Sequence, residues 1–76
     1  MQTNSTNMKL TQTQAEIIVK FAENNINVAA TAREMFMHRN TVDYHLRMIY
    51  RNTGKNPMVF YDLLELLTVA KSVLGE

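Results

Sequence analysis

Only three residues in this chain of 76 break helices by nature, Gly54, Pro57 and Gly75, and none comes before position 54. Strands joined by tight turns need Gly, Pro and similar residues at short intervals. Their scarcity, with 46% hydrophobic residues to build a core, makes an all-α fold the expectation. A chain this short forms one domain and buries too little surface for a roomy pocket, so no enzyme is expected. It has no Cys, which excludes disulfides and thiolate metal sites. The opening MQTNSTNMK lacks the apolar core of a secretory signal, and no apolar run approaches the ~20 residues of a spanning helix. No membrane contact is expected, and the expected location is cytoplasmic.

Capping signals divide the chain into a mobile polar tail over residues 1–10 and a folded domain over 11–76. Four helices are expected, at about 12–24, 28–36, 39–53 and 57–74. Thr11 with Gln14 fits a capping box, Leu10 can staple onto Ala15, and Ile17, Ile18, Phe21 and Ala22 share one face. Asn24-Asn25 closes this first helix and Ile26 turns inward at the corner. Asn27 is an N-cap for the second helix. Its Ala29, Ala30 and Ala32 either let a third helix cross closely or simply favour helix.

The third helix has the strongest pattern. With His38 as N-cap, Met37 and Val42 form a hydrophobic staple, and Gly54 takes the C′ position. Val42, Leu46, Ile49 and Thr53 follow the spacing of a buried stripe. Opposite them lie Asn40, Tyr44, Arg47 and Arg51, with Arg39 and Asp43 alongside. Charge follows this division: residues 33–55 carry a net +3, residues 1–32 balance, and residues 56–76 carry a net −2. A short helix with small residues, a tight turn and a longer helix with an Arg-bearing face form the layout of a helix-turn-helix, whose second helix enters the DNA major groove.

Asn56-Pro57 is read as the start of the fourth helix, with Asn as N-cap and Pro in the first turn. Apolar residues fill twelve of the seventeen positions from 58 to 74, more than one contact with a three-helix core can cover. A second copy packed on Phe60, Leu63, Leu64, Leu67, Ala70 and Leu74 is the leading expectation. The alternative is that the first and fourth helices cover each other within one monomer.

The segment TAREMFMHRNTVDYHLRMIYRNTG resembles the C-terminal helix-turn-helix of PucR/CdaR-type regulators of purine catabolism and sugar-diacid use. Their pattern is T-A-x-x-L-F-V-H-R-N-T-V-x-Y-R-L-x-x-I, then T-G and a long final helix. Thr31, Ala32, Phe36, His38 to Val42, Tyr44, Leu46, Ile49, Thr53 and Gly54 match it, and Met35 and Met37 stand for Leu and Val. The likeness extends over about residues 12–74. A weaker one, through Leu10-Thr11 and Asn40-Thr41-Val42, is to LuxR-type domains. Both imply a four-helix helix-turn-helix domain with a long C-terminal helix that regulates transcription, and the dimer expected from the fourth helix would suit it. The chain departs from the pattern at Asp43, usually basic, and at His45, usually Arg. Family members also carry long sensory regions ahead of this module, which these 76 residues do not contain. A stand-alone small protein and an excised domain are both consistent with that.

The expected partner is double-stranded DNA, with Arg39 and Asn40 deepest in the groove, where Arg grips guanine and Asn grips adenine. Thr41 either touches a thymine methyl or a phosphate, or bonds within its own turn. Tyr44, Arg47 and Arg51 position the helix on the backbone, although solubility alone could explain the two arginines. Asn27 and His38 complete the candidate set at the helix starts. Asp43 either repels phosphate or accepts from cytosine N4. His38 and His45 have only Asp43 near them, too few ligands for a metal, and no cofactor or small-molecule ligand is expected. The competing function is a protein-interaction module of the same fold with little DNA affinity.

Overall fold

A computed structural model of the protein describes residues 9–76 as four helices: α1 (Gln12–Glu23), α2 (Val28–Glu34), α3 (Arg39–Thr53) and α4 (Phe60–Val73). The all-α, four-helix expectation holds. Residues 1–8 of the expected tail lie outside the described residues. Leu10, placed in that tail, is instead buried in the core.

The predicted caps form with real hydrogen bonds. Thr11 Oγ1 accepts from the Gln14 N–H at 3.1 Å, and Gln14 Oε1 accepts from the Thr11 N–H at 3.0 Å, closing the capping box. Asn27 Oδ1 accepts from the Ala30 N–H at 2.9 Å, and His38 Nδ1 from the Asn40 N–H at 3.1 Å. Each satisfies one of the amides that a helix start leaves without a partner. Gly54, at φ 76, ends α3 in the left-handed conformation.

One core joins the helices. Ala15, Ile17, Ile18 and Phe21 of α1 meet Ala32 of α2, Val42, Leu46 and Ile49 of α3, and Leu63, Leu66 and Ala70 of α4. Thr31 is the one polar residue buried among those described, and its hydroxyl donates to the Asn27 carbonyl at 2.8 Å. Val42, Leu46 and Ile49 are all buried, so the stripe expected of α3 faces inward.

Three further expectations need correction. Helix α2 ends at Glu34 and not at 36, because Phe36 turns into the left-handed region at φ 55. There the Phe36 N–H donates to the Arg33 carbonyl and the Met37 N–H to the Ala32 carbonyl, the paired bonds of a Schellman motif. Helix α4 begins at Phe60 and not at Pro57. Asn56 does cap a turn, its Oδ1 accepting from the Met58 N–H at 2.9 Å. Val59 is extended, however (φ −99, ψ 125), and breaks that turn before the helix starts. The Asn56 N–H donates in turn to Asp62 Oδ2 at 3.0 Å, tying the loop to the first turn of α4.

The third correction concerns the face of α4. Leu63 and Ala70, expected at a contact between copies, are buried against α1 in the same chain. Leu67 and Leu74 are partly buried against the same core. The pairing of α1 with α4 is the most extensive between helices. It covers one side of α4 and leaves Phe60 and Leu64 outside, together with Met58, Val59, Tyr61 and Val73.

Candidate nucleic-acid interface

Because the buried stripe of α3 is fixed against α1 and α2, the opposite stripe must face solvent. Arg39, Asn40, Thr41, Tyr44, Arg47 and Arg51 are all exposed, and Asp43 is half-buried beside them. Positions 40, 44, 47 and 51, spaced four, three and four apart, fall on one line along the helix. The structure therefore brings together seven of the nine residues read from the sequence.

Asn27 and His38 stand at the starts of α2 and α3 rather than on that line. Each uses a side-chain acceptor to cap its own helix, so their first role is to start α2 and α3 where they start. At Arg39, the residue after the His38 cap, the side chain is exposed beside the positive end of α3.

Salt bridges divide the basic residues into two groups. Arg47 Nη1 lies 3.1 Å from Asp43 Oδ2, one turn earlier on α3. Lys55 Nζ lies 2.9 Å from Glu65 Oε1 on α4. That hydrogen bond and the charge of Glu65 hold the Lys55 ammonium above its ordinary pKa of 10.5. Arg33, Arg39 and Arg51 form no salt bridge among the described residues. The basic residues of this region left without a salt bridge among those described are thus Arg33, Arg39 and Arg51, and on α3 they lie at its two ends.

Two neighbours refine the face. Tyr44 makes an edge-to-face contact with His45, ring centroids 5.8 Å apart, so His45 braces a tyrosine that is itself half out in solvent. Thr31, Thr53 and Thr68 each donate their hydroxyl to the carbonyl four residues back. Thr41 has no such bond among the described residues. It stands in the first turn of α3, where the carbonyl four back belongs to the preceding loop.

Tyr50 was missed by the sequence reading, and it is exposed on the flank of α3 beside Asp43 and Pro57. It stands to one side of the 40–44–47–51 line, in the row 43–47–50, next to the loop packed alongside. Among the described residues no cluster of His, Asp or Glu could hold a metal ion, and no helix is long and apolar enough to cross a membrane.

Comparison with known proteins gives one finding: the PucR C-terminal helix-turn-helix domain matches residues 14–71. No curated protein and no solved structure matches the chain. The matched span runs from the first turn of α1 to near the end of α4 and contains the whole α3 face. The chain belongs to the PucR C-terminal helix-turn-helix family, whose domains serve DNA-binding transcription regulation.

Proposed function

We propose that this domain binds double-stranded DNA with sequence preference, α3 entering the major groove from its N-terminal end. The observation that supports this most is the two-sided character of α3. Val42, Leu46 and Ile49 are fully committed to the core, and the other side carries exposed Arg39, Asn40, Tyr44, Arg47 and Arg51. Any surface helix shows a polar face to water, but this one gathers three arginines there with Asn40 and Tyr44, groups suited to phosphates and base edges. Arg39 and Asn40 read base edges, Thr41 lends an unbonded hydroxyl to a phosphate, and Tyr44 and Arg51 position the helix on the backbone.

The protein acts as a homodimer joined through the uncovered side of α4. Phe60 and Leu64 flank an open apolar groove lined also by Ala22, Ile26 and Leu67, and Met58, Val59 and Tyr61, near the start of α4, are exposed as well. An exposed apolar groove of this kind marks an association site. Two-fold pairing presents two α3 helices to half-sites about 34 Å apart.

Fluorescence anisotropy of a labelled duplex, titrated at several salt concentrations, tests the reading. Binding that weakens steeply with salt supports it, and the slope counts phosphate contacts. A folded protein that fails to bind at low salt would favour the interaction-module reading, in which the α4 surface holds a different protein.

A further inference from the structure

Three of the four helices end in the same way. The N–H groups of Asn25, Phe36 and Gly75 donate to Ala22, Arg33 and Ser72, and those of Ile26, Met37 and Glu76 donate to Phe21, Ala32 and Lys71. In each Schellman motif the C′ residue is left-handed, with φ of 57, 55 and 79. Gly and Asn are the residues that hold this conformation at little cost. Phe36 occupies a glycine's position.

A bulky side chain in this region is a backbone outlier, and such strain persists only where something compensates for it. Ile26, left-handed at φ 63, has a visible compensation, because its side chain packs against the core. Phe36 has none. It is 97% exposed, the highest among the exposed large hydrophobic residues. Within the folded chain its ring therefore stabilises nothing.

The place of Phe36 indicates where the ring is used. It precedes Arg39 by three residues, so the chain allows at most about 11 Å between them. The major groove is about 8.5 Å deep and is bounded by sugar-phosphate strands. A helix that enters by its N-terminus must have its preceding turn leave past one of those strands. Met37 faces the core and His38 caps α3, which leaves Phe36 as the outward apolar side chain of the turn.

We infer that Phe36 is a DNA-positioning residue whose ring packs on the deoxyribose wall of the groove entered by α3. This rests on the DNA-binding reading above. The contact is apolar and sequence-neutral, and it fixes how deeply the helix sits.

The test compares wild type with Phe36→Gly, Phe36→Ala and Phe36→Tyr, by anisotropy on duplexes of different sequence and by thermal denaturation. Phe36→Gly is expected to raise Tm by a few degrees, because it relieves the left-handed strain. Phe36→Ala keeps that strain and should leave Tm near wild type. Both should weaken binding about five- to tenfold on every duplex, the loss of a partly buried aromatic contact. The slope of affinity against salt should not change, since no charge is removed. Phe36→Tyr should bind like wild type.

Full affinity in both truncated variants would overturn the inference while leaving α3 as the reading helix, and would place the ring against a protein. A lower Tm in Phe36→Gly would overturn it differently, by showing that the ring supports the fold. A wild-type protein without DNA affinity would remove the underlying reading, and this inference with it.

Discussion

Asp43 and Arg47 pair across one turn of α3, carboxylate oxygen to guanidinium nitrogen at 3.1 Å. Arg47 belongs to the exposed line along α3, and the pair occupies a cation that the proposed docking would otherwise leave free for phosphate. An exposed pair of this kind contributes little to stability, so its main effect falls on binding. Asp43→Asn should leave Tm almost unchanged and strengthen binding about three- to tenfold at low salt, with a salt slope steeper by about 1. Unchanged affinity would show that Arg47 lies off the DNA path. A loss confined to one sequence would instead mean that Asp43 reads a cytosine.

Arg39 and Arg51, at opposite ends of α3 and free of salt bridges among the described residues, should differ in kind. Arg39→Ala is expected to cost about 1–3 kcal/mol at the preferred site and to relax the preference there. Arg51→Ala should weaken all duplexes alike and lower the salt slope by about 1. Selection of bound sequences with each variant checks this. A uniform loss from both would mean that α3 does not enter by its N-terminus.

Leu63 and Leu64 are adjacent in sequence, but they should separate folding from the proposed association. Leu63 is 5% exposed against α1, whereas Leu64 is 44% exposed beside Phe60. Leu63→Asp buries a charge without a partner and should destabilise the fold by more than about 3 kcal/mol. Leu64→Asp should keep Tm near that of wild type at high dilution and yield a monomer by sedimentation equilibrium. A Leu64→Asp protein that remains dimeric would move the contact away from this face.

Lys55 binds Glu65 across the junction of the α3–α4 loop and α4, and its pKa is raised above 10.5 in the folded state by that contact. The group is charged in both folded and unfolded chains near neutral pH, so its contribution is then complete. It is lost only as pH rises from 10.5 through the higher folded value. Thermal denaturation of wild type and Glu65→Gln should show a stability gap that is flat around neutrality and closes in strong alkali. A gap that closes below pH 9, roughly the onset expected for an unshifted group, would show that the pair does not form.

The caps and the α3 stripe were legible in the sequence because their physics is local. Thr11, Asn27 and His38 each bond to an amide two or three residues on, and the 42–46–49 spacing reports directly on one helix face. Family membership was legible for a related reason, since the run from His38 to Val42 joins a cap, the motif residues Arg39, Asn40 and Thr41, and a core valine in five positions. The end of α2 was not legible, because nothing in the side chain of Phe36 favours a left-handed turn. The start of α4 was misread because Asn56 does cap a turn, but Val59 ends it and Asp62, six residues on from Asn56, secures the loop.

By itself, then, the sequence determined that this chain is helical, where three of its helices begin, and which side of α3 meets the core. Those outcomes depend on hydrogen bonds and periodicity within a few residues. Only the tertiary structure decided which α4 residues are taken by α1, which basic residues remain free, and that Phe36 stands strained and uncovered. Apart from the one-turn pair of Asp43 and Arg47, these depend on partners farther along the chain, or on a side chain left uncovered by the fold, and a local pattern carries little information about either.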